Sequence, residues 1–206
     1  TIAYRINKST SYALEGSIFV SGASIKWLKD ELGIIKNVNE SQSLAESIKD
    51  NNGVYFVPAF TGLGAPHWRP DARGTIVGLI GSSGKAEIVR AALEAVAYQS
   101  ADLFDAMASD GQKPVVVKVD GAMSNNDWLI QFLSNISKTK IKKSYNSETT
   151  SQGAAILSSI GSGLLPSLKE SSKFWKLNKC YNPMMQNAEI KNYRNGWNKA
   201  IKRTIM

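Results

Sequence analysis

Val115-Val116-Val117-Lys118-Val119-Asp120-Gly121-Ala122-Met123-Ser124-Asn125-Asn126, running into Asp127-Trp128-Leu129-Ile130-Gln131-Phe132, is the stretch that decides the fold of this chain. The β-branched run suits a buried strand, Gly121 permits a sharp turn, and the residues after it return apolar side chains at helical spacing. In an open α/β sheet, ligands gather outside the carboxyl ends of such strands, where backbone N–H groups and a helix start approach them. Ser124 and Asp127 fit an [ST]-x-x-[DE] capping box. Asn126 then falls in the first helical turn, where a carboxamide can both donate to and accept from a purine edge.

Outward from this stretch, the pattern alternates strands and helices. Lys85 to Ala108 is the longest helical pattern, with Ile88, Ala92, Val96, Gln99, Leu103 and Met107 on one stripe and four small residues, Ala91, Ala92, Ala95 and Ala97, that admit a close neighbour. Val54-Tyr55-Phe56-Val57 reads as a short buried strand, Gly74 to Ile80 as another, and a weaker strand is expected around Ile141. Ile2-Ala3-Tyr4 and Tyr12-Ala13-Leu14-Glu15 suggest an opening hairpin around a polar turn. Ser21 offers an N-cap to a helix with Ile25, Leu28 and Leu32 on its apolar face, stopping at Gly33, and a second short helix is expected from Ser41 to Lys49. Small residues fill a further helix from Thr149, and a terminal helix is expected from about Asn187 to Lys202. The order predicts an α/β domain with a central mixed sheet flanked by helices.

Composition narrows the function classes. The 206 residues are 43% hydrophobic and 20% charged, ordinary values for a globular domain. Cys180 is the sole cysteine and His67 the sole histidine, which argues against a disulfide framework and a transition-metal site and fits a reducing, cytoplasmic setting. No run approaches the roughly 18 apolar residues that cross a bilayer, and Thr1 to Arg5 show no signal-peptide pattern, so no membrane partner is expected. Charge is uneven: residues 1–110 carry 10 basic against 12 acidic residues, residues 111–206 carry 15 against 5, and the whole stands at +8. The basic residues of the second half, Lys138 to Lys143 and Lys173 to Lys179 among them, lie scattered among Asn and Ser, the mark of a solvated surface and not of a nucleic-acid site.

Two phosphate signatures fail on spacing. Gly81-Ser82-Ser83-Gly84-Lys85-Ala86 resembles a P-loop fragment, but Leu79 stands where the first glycine belongs and Ala86 where Ser or Thr belongs. Gly62-Leu63-Gly64 has His67 in place of the third glycine of a dinucleotide loop. His67, between Pro66 and Trp68, lies near no nucleophile-elbow sequence and is read as structural. The irregular stretch from Ala59 to Arg73 is long enough to expect a function of its own.

Gly74-Thr75-Ile76-Val77-Gly78-Leu79, followed after seven residues by Glu87-Ile88-Val89-Arg90-Ala91-Ala92-Leu93-Glu94, resembles the second signature of the FGGY carbohydrate kinases. Val57-Pro58-Ala59-Phe60-Thr61-Gly62-Leu63-Gly64-Ala65-Pro66-His67-Trp68 and Tyr12-Ala13-Leu14-Glu15-Gly16-Ser17 are similar to the branch of that family that phosphorylates glycerol. The resemblance runs from about Tyr12 to Gly196-Trp197.

It implies an RNase-H-like domain of the actin-like ATPase superfamily, whose two domains close on ATP. Residues 1–206 would form a single carboxy-terminal, nucleotide-binding domain, slightly truncated at its start, with the amino-terminal substrate domain absent. ATP or ADP with Mg²⁺ would be the cofactor and partner, held by Gly121, Ala122 and Asn126, and by Gly81 and Ser82 in the loop before the long helix. Glycerol would bind only with the amino-terminal domain; a homo-oligomer is compatible with the family. The family's catalytic base lies in a Gly-Asp-Gln motif, and this chain holds no Gly-Asp dipeptide, so no catalytic residue is assigned here and the chain alone is expected to be inactive. Ala122 replaces the family's second glycine, and Ser82 another; Ala86 removes a polar side chain. If Ala122 had a positive φ it would be strained by about 1 kcal/mol. The alternatives are a kinase of another sugar within the family, or a basic, non-catalytic interaction module.

Overall fold

The computed structural model describes residues 1–6 and 8–206. In chain order the elements are β1 (Ile2–Ile6), β2 (Ser9–Tyr12), α1 (Gly22–Asp30), α2 (Glu40–Glu46), β3 (Tyr55–Val57), β4 (Thr75–Val77), α3 (Lys85–Ser109), β5 (Val116–Val119), α4 (Asp127–Ser137), β6 (Lys140–Ser144), α5 (Thr149–Gly161), α6 (Leu168–Ser171), β7 (Leu177–Tyr181) and α7 (Asn187–Thr204). β5 and β6 run parallel, with Val117 beside Ile141, and β7 joins β6 antiparallel, with Tyr181 beside Ile141. This is the expected mixed sheet, at three strands. β1–β2 and β3–β4 are separate antiparallel pairs.

The 25 residues of α3 form the spine. Ala91, Ala92, Ala95, Ala97 and Ala101 are buried along it, and their small side chains let α3 lie close to its neighbours. α4 turns Leu129, Ile130, Phe132, Leu133 and Ile136 inward, and Ile141 and Tyr181 close the core from the sheet side. Phe132 meets Tyr98 of α3 edge-on at 5.6 Å and Tyr193 of α7 at 5.5 Å. Aromatic pairs in this geometry add to the stabilisation from burial alone.

α7 closes the other side. Trp197 is fully buried, stacks on Tyr98 at 5.1 Å, and donates its indole N–H to Asp102 of α3 at 2.7 Å. One position earlier, a Cβ on Gly196 would collide with the phenol of Tyr55, so α7 lies flush on β3 only because that position has no side chain.

Several boundaries differ from the sequence reading. The first hairpin is tighter, with Arg5–Ile6 and Ser9–Thr10 inside the strands, and its connection at Asn7 lies outside the described residues. α1 ends at Asp30, leaving Leu32 exposed beyond the helix; only Ile25 and Leu28 of the expected face are buried. β7 was not anticipated. Of Leu177-Asn178-Lys179-Cys180-Tyr181 only Tyr181 is buried, so an edge strand wetted on both faces carries no apolar alternation to betray it.

The segment from Ala59 to Arg73 is folded on itself. Leu63 and Arg69 exchange both backbone hydrogen bonds, at 2.8 and 2.9 Å, and His67 places Nε2 3.3 Å from the buried Asp102 carboxylate, which agrees with a structural role for the histidine.

Candidate nucleotide site

The carboxyl end of β5 is shaped by one glycine and one serine. Gly121 has φ 77° and ψ 174°, a region only glycine visits freely, and its N–H donates to the Ser147 carbonyl at 3.0 Å. Its carbonyl accepts two bonds from Ser124, from the backbone N–H at 3.1 Å and from the hydroxyl at 2.7 Å. Ser124 therefore locks the turn and does not cap the helix. The expected capping box gives way to a cap two residues later: residues 122–125 form a short 3-10 turn, and Asn126 is the N-cap of α4, its Oδ1 accepting from the Leu129 N–H at 2.9 Å. The 3-10 turn uses the residues that a capping box would have spent on the first helical turn. Ala122 is not among the residues with positive φ, so the expected strain is absent; Gly121 carries that conformation.

The start of α4 is also tied sideways to α2. Asn126 Nδ2 donates to Ser41 Oγ at 3.3 Å, and the Asp127 N–H donates to Gln42 Oε1 at 3.0 Å. α2 is in turn held by α3. The guanidinium of Arg90 donates to the carbonyls of Ala45 and Ile48, at 3.1 and 2.6 Å, and to Glu94 at 2.9 Å. Glu94 is fully buried and also accepts from Asn51 at 2.7 Å and Tyr98 at 3.0 Å, so its oxygens are satisfied even though burial pushes its carboxyl pKa up. The chain of contacts Glu94–Arg90–α2–Asn126 is what gives the turn a fixed partner.

Between the turn, the start of α1 and α2 lies a cavity of about 490 Å³. Ile25, Val38 and Met123 give it apolar walls; Asn39, Ser43 and Asn125 bring polar side chains to it. Gly22 belongs to the wall as well, because a Cβ there would lie 3.2 Å from the Met123 side chain. A cavity with apolar walls and a few amide and hydroxyl groups among its lining is suited to a heteroaromatic ring.

On the far side of the α4 start, Asp127 gathers Lys179 at 2.6 Å, the Tyr181 hydroxyl at 2.6 Å and Lys143 at 3.4 Å. Burial raises its carboxyl pKa, but the bonds from Lys179 and Tyr181 outweigh this and hold it at about 2. Burial, together with the same contact to Asp127, pushes the Tyr181 hydroxyl well above its ordinary range.

The structure thus brings Gly121, Ala122 and Asn126 together, with Ala122 and Asn126 lining the cavity. Gly81 and Ser82 do not line it; they lie exposed in the turn between β4 and α3, where the Ile80 N–H donates to Ser83 Oγ at 3.0 Å. The stretch from Ala59 to Arg73 contributes nothing to the cavity either. The sequence reading missed Gly22 and the whole α2 face, Asn39 to Glu46. Gly22-Ala23-Ser24 did signal a helix start, but the polar run of α2 has no motif that names its partner. Among the described residues, no group of three or more His, Cys, Asp or Glu side chains is placed to hold a metal ion, and no helix is long and apolar enough to cross a membrane.

The profile of the FGGY family of carbohydrate kinases, C-terminal domain, matches residues 3–162. This chain belongs to that family. The glycerol kinase of Coxiella burnetii (strain Dugway 5J108-111) is 46% identical over 205 residues, which is 100% of this chain and 41% of that protein. The glycerol kinase of Gluconobacter oxydans (strain 621H) is 48% identical over 206 residues, covering 100% of this chain and 40% of its own length. Among solved structures, that of the Plasmodium falciparum glycerol kinase with ADP superposes with a TM-score of 0.90 at 37% identity, over 100% of this chain and 42% of that one. The gluconate kinase of Lactobacillus acidophilus, at 23% identity and TM-score 0.75 over 91% of this chain and 38% of that one, shares the fold. The chain spans about two-fifths of the length of these relatives, and its fold is the RNase-H-like, actin-like ATPase fold of FGGY kinases.

Proposed function

We propose that residues 1–206 form the nucleotide-binding half of a kinase that transfers the γ-phosphoryl group of ATP to glycerol, giving ADP and sn-glycerol 3-phosphate. The observation that carries this reading is the cavity at the carboxyl end of β5, walled by Ile25, Val38 and Met123 and bounded by Ala122 and Asn126, in a chain similar over its full length to a kinase solved with ADP.

In this reading the purine enters the slot between α2 and the 122–125 turn. Gly121 keeps the backbone of the turn open, Ala122 adds only a methyl group to the wall, and Asn126 holds the wall against α2. Gly81 and Ser82, exposed at the start of α3, would meet the nucleotide outside the cavity, where backbone N–H groups suit phosphate. Mg²⁺ would neutralise phosphate charge, a cation of this kind being commonly held by one or two carboxylates plus the phosphates themselves. The amino-terminal portion of such a kinase would supply glycerol binding and the general base, so the isolated chain binds nucleotide without turning over glycerol.

Titration calorimetry tests the reading directly. The expected result is weak binding of ADP, abolished by Ala122→Trp, which fills the slot from an exposed position; binding that survives this change would place the nucleotide elsewhere.

A further inference from the structure

A purine in the cavity at the end of β5 needs a group that reads its edge, and Asn126 is not free to be that group. Its oxygen caps α4 and its amide nitrogen donates to Ser41. The hydroxyls along the α2 wall are spent as donors as well, Ser41 on the Val38 carbonyl at 2.6 Å and Ser43 on the Glu40 carbonyl at 3.0 Å. Asn39 and Asn125 are exposed, and an exposed amide can turn either of its ends to a ligand.

Gln42 and Glu46 differ from all of these. They stand one turn apart on the face of α2 that lines the cavity. The Gln42 amide oxygen accepts from the Asp127 N–H at 3.0 Å, which sends its nitrogen the other way, and that nitrogen donates to Glu46 Oε1 at 2.9 Å. The two bonds fix the polarity of the pair. One N–H of the amide and one oxygen of the carboxylate are left for a ligand, a donor beside an acceptor. Adenine offers the complement on either edge, because its 6-amino donor is flanked by ring nitrogens that accept; a 6-oxopurine such as hypoxanthine places an acceptor at position 6.

We propose that the Gln42–Glu46 pair makes the cavity selective for 6-aminopurine nucleotides over 6-oxopurine ones, Glu46 accepting from the 6-amino group and Gln42 donating to the ring nitrogen beside it. This rests on reading the cavity as the nucleotide site. A 6-oxopurine in the same pose turns its oxygen towards the Glu46 carboxylate, so that a hydrogen bond is replaced by two opposed acceptors, and rejection of this kind exceeds the loss of the bond alone. Ser43 acts in the same direction, since its hydrogen is held by the Glu40 carbonyl and its oxygen brings only lone pairs to that wall.

The test is an NMR titration of this chain with ADP and, separately, with IDP, which differs from ADP in the base alone. ADP is expected to bind about tenfold more tightly, the size of one mismatched hydrogen bond to a charged group. Glu46→Gln can still accept from Gln42 on its oxygen and then turns an N–H towards the ligand, so the preference should fall to parity or reverse; Glu46→Ala should bring it to parity. Glu46 is exposed, and the amide spectrum of both variants should show the parent fold. Equal binding of ADP and IDP by the unaltered chain, or a preference that survives Glu46→Gln, overturns the proposal and leaves the nucleotide site standing. An equal loss of both nucleotides in Glu46→Gln that vanishes with 2′-deoxy-ADP also overturns it, by assigning Glu46 to the ribose. Binding of neither nucleotide overturns the nucleotide reading itself.

Discussion

Asn126 and Ser41 lie 85 positions apart and are joined by a single side-chain hydrogen bond, from Asn126 Nδ2 to Ser41 Oγ at 3.3 Å, while Asn126 Oδ1 caps α4. Both ends of one carboxamide are therefore committed to the protein. The residue whose spacing first suggested a contact to the purine edge shapes the slot by holding α2 against the turn.

Substitution separates these roles. Asn126→Ala removes the cap and the tie, and should lower stability by about 1 kcal/mol in urea unfolding. It should also weaken ADP binding. Asn126→Asp keeps an acceptor for the Leu129 N–H and should recover the stability lost with the cap, while the tie to α2 stays lost because the Ser41 hydroxyl already donates to the Val38 carbonyl. ADP binding at the wild-type level in both variants would show that the tie does not serve the slot.

Ala122→Gly is expected to lower stability by about 0.5 kcal/mol, because the residue lies outside the left-handed region and glycine gains only chain entropy in the unfolded state. A rise in the urea midpoint would mean that Ala122 is strained after all.

The Asp127 cluster makes the fold sensitive to acid. Its carboxyl is held at about 2 by Lys179 and Tyr181, below the unfolded value of about 3.9. A depressed carboxyl contributes its full stabilisation above the unfolded pKa and loses it as pH falls from about 4 towards about 2. Urea unfolding across that window should show stability falling with pH, and Asp127→Asn should flatten the slope. An unchanged slope in the variant would assign the acid sensitivity to other groups.

Arg90→Met leaves the fully buried Glu94 without its cation and α2 without its anchor. Breaking a buried pair from one side costs about 3–5 kcal/mol. Unfolding experiments should show a loss of that order, with faster amide exchange in Glu40–Glu46. Arg90→Met combined with Glu94→Leu should recover part of it, because no uncompensated charge is then left in the core.

How far the fold could be read from sequence followed the strength of local signals. β5, its glycine turn and α3 were legible because β-branched residues, one Gly and a long apolar stripe each have a single interpretation. The Asn126–Ser41 contact and the Arg90 anchor of α2 were not, since they join positions with no common motif and exist only once α2, α3 and α4 are packed. The placement of Gly81 and Ser82 shows the converse. A glycine-and-serine loop has the composition of a phosphate loop, yet it stands apart from the cavity, because composition fixes the freedom of a turn and not the direction in which it faces. β7 escaped notice for want of any buried alternation.

Gly196 offers a lesson for anyone who would stabilise this protein. A glycine inside an 18-residue helix is an obvious target, since alanine there would ordinarily add about 1 kcal/mol of helix propensity. The phenol of Tyr55 occupies the space that the new methyl group would need. Substitution at position 196 must therefore be accompanied by a smaller residue at position 55, and homologous chains should exchange the two together or not at all.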